Sequence, residues 1–455
     1  MKVHNFQLFI LLIGWSLSLS AGPSDVLSRP MPESWGYSPS FSQTLPTDDK
    51  WWQGFEDPVL DSLIRMGEEA NFNVAMAMRR MEDARQQMRI ARSAYFPQLG
   101  LQGGYERSRI DDTSLNTYTA GAQMSWQVDL FGRVGAQVKR QKHLYRASRA
   151  DYTAAMVAMA AEIAADYVQL RVFQSELAVA KAHITRQDTI AAIAKTRYEV
   201  GLAARIDVEQ ANSILHSTQA NVPALETSIH STINALALLT GRYGHELRDM
   251  LAPSRPLPEY HRIVTAGVPA QLLRRRPDIV AAESQLAASA EAVGIAKKDY
   301  LPTLSLTGNV GVSSHGHGSF FSSDNLTYSI APTLSWTLFD GMARSARVAS
   351  AREEMEAQIE QYNLTVMTAY NEVDNAVAAY INALRQIDRY EQAAMDAERF
   401  LKLSLDLYTQ GLSGFTNVAD AQESFLQYAN SVISSRGQAL NYLIQIYQAL
   451  GGGYE

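Results

Sequence analysis

The sequence predicts a mixed α and β chain, with four strands of membrane-spanning type set on two very long helical hairpins and one unit used twice. Three observations predict it. Two Pro-free stretches of 68 residues, 133–200 and 342–409, carry an apolar heptad. Each is preceded by two segments that alternate between apolar and polar residues. The landmarks of the first half return in the same order about 210 residues later.

The bulk composition excludes several classes. Of 455 residues 46 % are hydrophobic and 19 % charged, the balance of an ordered chain. Forty Lys and Arg against 47 Asp and Glu leave a formal charge of −7, with no electrostatic footprint for nucleic acid. The absence of Cys excludes disulfides, Cys-ligated zinc, iron–sulfur clusters and thiol nucleophiles.

The N-terminus is expected to be a targeting segment over 1–21. Lys2 and His4 precede an apolar run from Phe6 to Leu19, and small residues follow at Ser20, Ala21 and Gly22. That is the pattern of a secretory signal peptide. The run is too short for a membrane span, which needs about 20 apolar residues.

Two copies of one unit follow. Tyr95-Phe96-Pro97 returns as Tyr300-Leu301-Pro302, and Ser125-Trp126 as Ser335-Trp336. Tyr198 and Gly201-Leu202 return as Tyr408 and Gly411-Leu412, and Gly241 as Gly451. Solenoid repeats are far shorter, so this is a duplication. The chain is expected to divide into a signal peptide (1–21), an N-terminal segment (22–57), a first repeat (58–241), a connection (242–268) and a second repeat (269–451).

Within each repeat the heptad is regular. Met156, Ile163, Leu170, Leu177, Ile184, Ala191 and Tyr198 form one column; Ile359, Val366, Val373, Tyr380, Ile387, Ala394 and Leu401 form its counterpart. A sustained 3.5-residue period demands packing against partner helices with left-handed supercoiling. Ala369, Ala376 and Ala383 allow close approach. Sixty-eight helical residues span about 100 Å. Gly201 and Gly411 break both helices at matching points, and the chain returns on a second helix. The predicted hairpins are 133–241 and 342–449, with Pro223 read as a kink in the first return helix.

The strands are predicted at 98–108, 118–129, 303–313 and 327–339. Tyr118, Ala120, Ala122, Met124, Trp126 and Val128 share one face; Tyr328, Ile330, Pro332, Leu334, Trp336 and Leu338 share the equivalent face. Strands of about ten residues cross a bilayer when tilted, and aromatic residues near their ends match interfacial girdles. A soluble sandwich is the competing architecture. Four strands cannot close a barrel, and open edges are not tolerated in lipid. Closure therefore requires oligomerisation. Two chains give eight strands and a filled interior. Three give twelve strands, the smallest assembly with a pore, and twelve long helices to extend it.

Several motifs carry a resemblance. They are Trp51-Trp52-Gln53 with Phe55, Asp57-Pro58 and Leu60; Asp129-Leu130-Phe131-Gly132-Arg133; Leu272-Leu273-Arg274-Arg275-Arg276-Pro277-Asp278-Ile279 with Ala281-Ala282-Glu283; Phe339-Asp340-Gly341; and Ala449-Leu450-Gly451-Gly452. In this order they resemble the outer membrane factors of tripartite efflux pumps, the TolC/NodT type. The resemblance implies a homotrimeric twelve-stranded barrel in the outer membrane, continuous with a periplasmic α-helical barrel. It implies a passive exit duct for small molecules rather than an enzyme, and no cofactor. Its implied partners are a periplasmic adaptor (membrane fusion) protein, an inner-membrane RND-type transporter and outer-membrane lipid. A channel for type I protein secretion and a non-transporting coiled-coil scaffold or adhesin are the alternatives. The drug-efflux branch commonly carries a lipid-anchoring Cys, which this chain lacks.

Two candidate sites follow. The hairpin tips, Tyr198, Gly201 and Leu202 with Tyr408, Gly411 and Leu412, are expected to dock the adaptor. Asp420, nine residues beyond Gly411, is expected to be the gate, as a threefold ring of carboxylates about 13 Å from the tip. Phe415, Thr416 and Asn417 are expected to narrow the lumen beside it. The family's gate often reads Asp-Val-Leu-Asp-Ala; here it is Asn417-Val418-Ala419-Asp420-Ala421, so one acidic ring is replaced. No phosphate loop, zinc-protease motif or nucleophile elbow occurs. His315 and His317 read as exposed loop residues rather than metal ligands. Arg274, Arg275 and Arg276 read as helix-terminus and packing residues rather than an anion site.

Overall fold

A computed structural model of the protein describes residues 32, 35–36, 50–110, 113–261, 275–315 and 320–454. The expected signal peptide, most of 22–57, part of the connection 242–268, Leu272 to Arg274 and His317 lie outside the described residues.

The first element among the described residues is a 3-10 turn, Trp51–Phe55, followed by α1 (Pro58–Ala70) and α2 (Phe72–Ser93). Both helices are capped from their own sequence. The side chain of Asp57 accepts from the Val59 N–H, with Pro58 at the first helical position, and that of Asn71 accepts from the Val74 N–H. Strands β1 (Gln98–Ile110) and β2 (Thr113–Val128) lead into α3 (Arg133–Glu199), and α4 (Arg205–Leu239) returns. The short α5 (Gly244–Leu251) precedes α6 (Pro277–Lys298). Strands β3 (Thr303–His315) and β4 (Leu326–Ser335), α7 (Ala343–Thr409) and α8 (Phe415–Ala449) complete the chain.

α3 and α7 are each 67 residues long, and α4 and α8 are each 35. α4 runs through Pro223 without a break. Both tips end in the same way. Gly201 and Gly411 take φ of 76°, a left-handed conformation that favours Gly. The next N–H reaches back over five residues, Leu202 to the Arg197 carbonyl at 2.8 Å and Leu412 to the Leu407 carbonyl at 2.9 Å. This pairing satisfies carbonyls that the helix end would leave open.

The strands form one antiparallel sheet in the order β1-β2-β3-β4. β2 begins five residues before its expected start, because Thr113 to Thr117 pair with Glu106 to Ile110. Ladder pairing persists there without an apolar face. β4 ends at Ser335, which pairs with Thr303. Trp336 and Leu338, expected within the strand, lie beyond it. Their would-be partner is Pro302, which has no N–H to donate. The Trp336 indole instead donates to the Tyr300 carbonyl at 3.0 Å. Pro332 is tolerated inside β4 because β4 is an edge. Leu99, Leu101, Tyr328, Ile330 and Leu334 are exposed on the two edge strands.

Next to the sheet the helices lie in the order α2-α3-α6-α7; toward the tips the order is α4-α3-α8-α7. Between these tiers sits the largest core. Trp51, Trp52, Phe55, Leu60, Leu63 and Ile64 pack on Ile163, Tyr167 and Leu170 of α3, and on Leu236, Leu251, Leu443 and Tyr447. Trp51 stacks on Tyr447 with centroids 5.4 Å apart. Arg171 is wholly enclosed here, with its guanidinium over the Tyr167 ring and donating to the Pro253 carbonyl at 3.0 Å. The Tyr167 hydroxyl in turn donates to Asp57. This girdle explains the Trp-Trp-Gln motif: it wedges the N-terminal segment against the midpoint of α3.

Candidate gate and docking tips

The tips are held together by contacts between the two repeats. Tyr408, at the end of α7, donates its hydroxyl to Asp207 of α4 at 3.2 Å. Arg197, near the end of α3, lies over the Tyr408 ring at 5.0 Å. It also donates to the Thr409 carbonyl at 2.5 Å. Phe415 meets the same ring edge-on at 5.3 Å. Burial and the Asp207 carboxylate raise the Tyr408 pKa, so the hydroxyl keeps its proton and donates. Around this centre Ile190, Ala191, Ala194, Ala211, Val418 and Ala419 close a small core.

This geometry corrects two expectations. Phe415 is only 1 % exposed, so its side chain packs inside the tip and does not narrow a lumen. It lies three residues before Val418, on the same helical face, and both are drawn into the core. Tyr408, expected on the docking surface, is 2 % exposed and faces inward. Its first-repeat counterpart Tyr198 is exposed, as are Gly201 and Gly411. Leu202 and Leu412 are the most open, at 66 % and 71 %.

Thr416, Asn417 and Asp420 are exposed along one side of α8. Asn417 is tied by its amide to the Ser413 hydroxyl at 2.8 Å. The structure thus brings Asp420, Asn417 and Thr416 onto one open face and separates Phe415 from them. Arg197 was missed by sequence reasoning. The available signal was its counterpart 210 residues later, Leu407, since a charge replaces an apolar residue at one tip only.

Of the arginine run, Arg276 has a packing role. It is buried and donates to the Ala449 carbonyl at 2.8 Å, to Asp278 at 2.8 Å and to Glu372 at 2.7 Å. This clamps the start of α6 to the end of α8 and to α7. The side chain of His315 at the end of β3 is not described; among the described residues no cluster suits a metal ion.

Known proteins share this geometry. The outer membrane efflux protein family model matches residues 63–242 and 268–452. Nodulation protein T of Rhizobium leguminosarum bv. trifolii is 27 % identical over 416 residues, covering 89 % of this chain and 88 % of that protein. The toluene efflux pump outer membrane protein TtgI of Pseudomonas putida is 27 % identical over 100 % of this chain and 99 % of its own. Among solved structures, the outer-membrane channel OprN superposes with a TM-score of 0.87 at 26 % identity, covering 93 % of this chain and 97 % of that one. The outer membrane protein VceC of Vibrio cholerae gives 0.82 at 27 % identity, covering 90 % and 100 %. Sheet, long hairpins and family match converge: the chain belongs to the outer membrane efflux protein family and is an outer-membrane efflux channel with a large helical periplasmic portion.

Proposed function

We propose that the protein works as a homotrimer, the exit duct of a tripartite pump that moves small molecules passively from a periplasmic adaptor and an inner-membrane RND-type transporter to the exterior. The observation that carries this reading is a four-stranded sheet with both edges open, running directly into 67-residue helices. The named relatives include outer-membrane components of solvent and toluene pumps. That favours small cargo over secreted protein.

The ends of the helical layer support pairing with a second copy. α2 and α7 are its terminal members. α2 exposes Phe72, Met76 and Ile90, and α7 exposes Leu364 and Met367. α2 also exposes Arg79 and Arg80, and α7 exposes Glu353, Glu354, Glu356 and Glu360. Arg79 lies about 21 Å from the sheet-proximal end of α2, and Glu356 about 20 Å from that end of α7. Opposite charges thus stand at one height on the two edges that a neighbouring copy would join.

In this reading Leu202 and Leu412, with Gly201 and Gly411, offer six adaptor-docking tips per trimer, and Asp420 rings the duct near them. Light scattering of the detergent-solubilised protein tests it. Roughly three times the protomer mass is expected, with conductance in planar bilayers; a monomer in the soluble periplasmic fraction overturns it.

A further inference from the structure

We propose that the groove between α3 and α6 is a binding site for a soluble organic anion that carries an apolar portion. The groove forms an open concavity of about 400 Å³. Arg146 and Arg149 from α3 and Arg275 at the entry to α6, all exposed, line it together with Ala150, Val280 and Glu283. Among the described residues none of these three guanidiniums has a carboxylate within ion-pair distance. Three unpaired cations around one concavity, in a chain of net charge −7, are a local reversal of sign.

A second hollow of the same layer behaves differently. It is lined by Arg276, but Asp278 and Glu372 already neutralise that guanidinium. Nor is the first groove a generic product of the fold. The duplicated positions on α7 are Glu356 and Ile359, so each chain carries the basic groove once.

Chemistry defines the ligand class. Guanidinium groups present planar donor forks that fit carboxylate, sulfonate or phosphate oxygens. The Ala150 and Val280 walls suit a small apolar body. Position excludes a lipid headgroup. His143 and Thr153 bound the groove along α3, about 15 and 30 Å from the sheet-proximal end at Arg133. The headgroup layer extends only about 5–8 Å beyond the hydrocarbon on each side. Because α3 and α6 are the inner members of the layer, pairing through α2 and α7 does not itself run over their groove. The site is therefore independent of the oligomeric reading above.

Calorimetry on the full-length detergent-solubilised protein tests the assignment, with naphthalene-2-sulfonate as probe and 2-naphthylmethanol as its neutral counterpart. Saturable binding of one sulfonate per chain is expected, weakening as salt rises. The double substitution Arg146→Gln, Arg149→Gln should weaken it about tenfold or more at an unchanged melting temperature. Glu283→Gln should tighten it. Equal affinity for the neutral counterpart, or for the double variant, overturns the site. Inorganic phosphate binding as tightly as the sulfonate overturns the apolar part, and binding of short-chain phosphatidylglycerol with the same arginine dependence overturns the exclusion of lipid.

Discussion

The hydroxyl of Tyr408 reaches Asp207 at 3.2 Å across 201 residues of sequence, joining the last turn of α7 to the first turn of α4. One hairpin tip is thereby tied to the other by a charge-assisted hydrogen bond, with Arg197 stacked on the same ring. A bond of this kind contributes about 1.5–3 kcal/mol. Tyr408→Phe keeps the ring, the Phe415 contact and the Arg197 stack while removing the bond. Higher resting conductance in planar bilayers is expected, and Asp207→Asn should act in the same direction. Parent-like conductance in both variants would show that the tie does not restrain the tips.

Phe415→Ala probes packing rather than pore width. Removing a fully enclosed aromatic ring costs about 3–5 kcal/mol. Faster proteolytic nicking near the tip is the expected result, while the sheet and the central girdle remain protected. A variant that conducts more but resists protease like the parent would return Phe415 to the channel wall.

Asp420 has an open side chain beside Asn417 and Thr416. In a threefold assembly its carboxylates attract cations. Asp420→Ala should reduce cation selectivity and block by multivalent cations. Unchanged selectivity and block would move the constriction to another ring.

Gly411→Trp tests docking. The residue has a φ of 76°, and a Cβ there would touch the Arg197 guanidinium at 3.5 Å, so a bulky side chain strains the turn and covers the approach to Leu412. Loss of efflux and of adaptor cross-linking is expected, with barrel assembly preserved. Normal efflux in this variant would remove the docking role.

Asp166 supplies a pH-dependent test. Burial, with Glu162 nearby, pushes its carboxyl up to about 6, above its value of 3.8 in the unfolded chain. The folded state therefore binds more protons than the unfolded state between about pH 4 and 6, and stability falls as pH rises through that window. Above it the folded protein carries the full penalty of a half-buried carboxylate. Asp166→Asn should raise the melting temperature at pH 7.5 and change it little at pH 4. An equal gain at both pH values would assign the effect to packing.

Much of this was legible in the residues. The heptad columns gave the long helices, and matching Gly residues gave both tips. Alternation gave the sheet and failed only where pairing departs from apolar pattern. Thr113 to Thr117 pair without an apolar face, and Trp336 to Leu338 have the face but lose the ladder at Pro302. At the site, the inward face of Phe415 was available from its spacing to Val418. The contact between Tyr408 and Asp207 was not, because no local pattern encodes which turn of one hairpin meets which turn of the other. The two tips also differ: Tyr198 is exposed where Tyr408 is buried, so the duplication hid an asymmetry.

The unpaired outer edges of β1 and β4 bear on how the protein reaches the membrane at all. A single copy presents two rows of backbone donors and acceptors that hydrocarbon cannot satisfy. Under the homotrimeric reading proposed above, a lone copy has no resting state inside the bilayer, and insertion waits for, or coincides with, the arrival of further strands. Biogenesis is then a concentration-dependent step, in which each chain has to be escorted until its edges are covered.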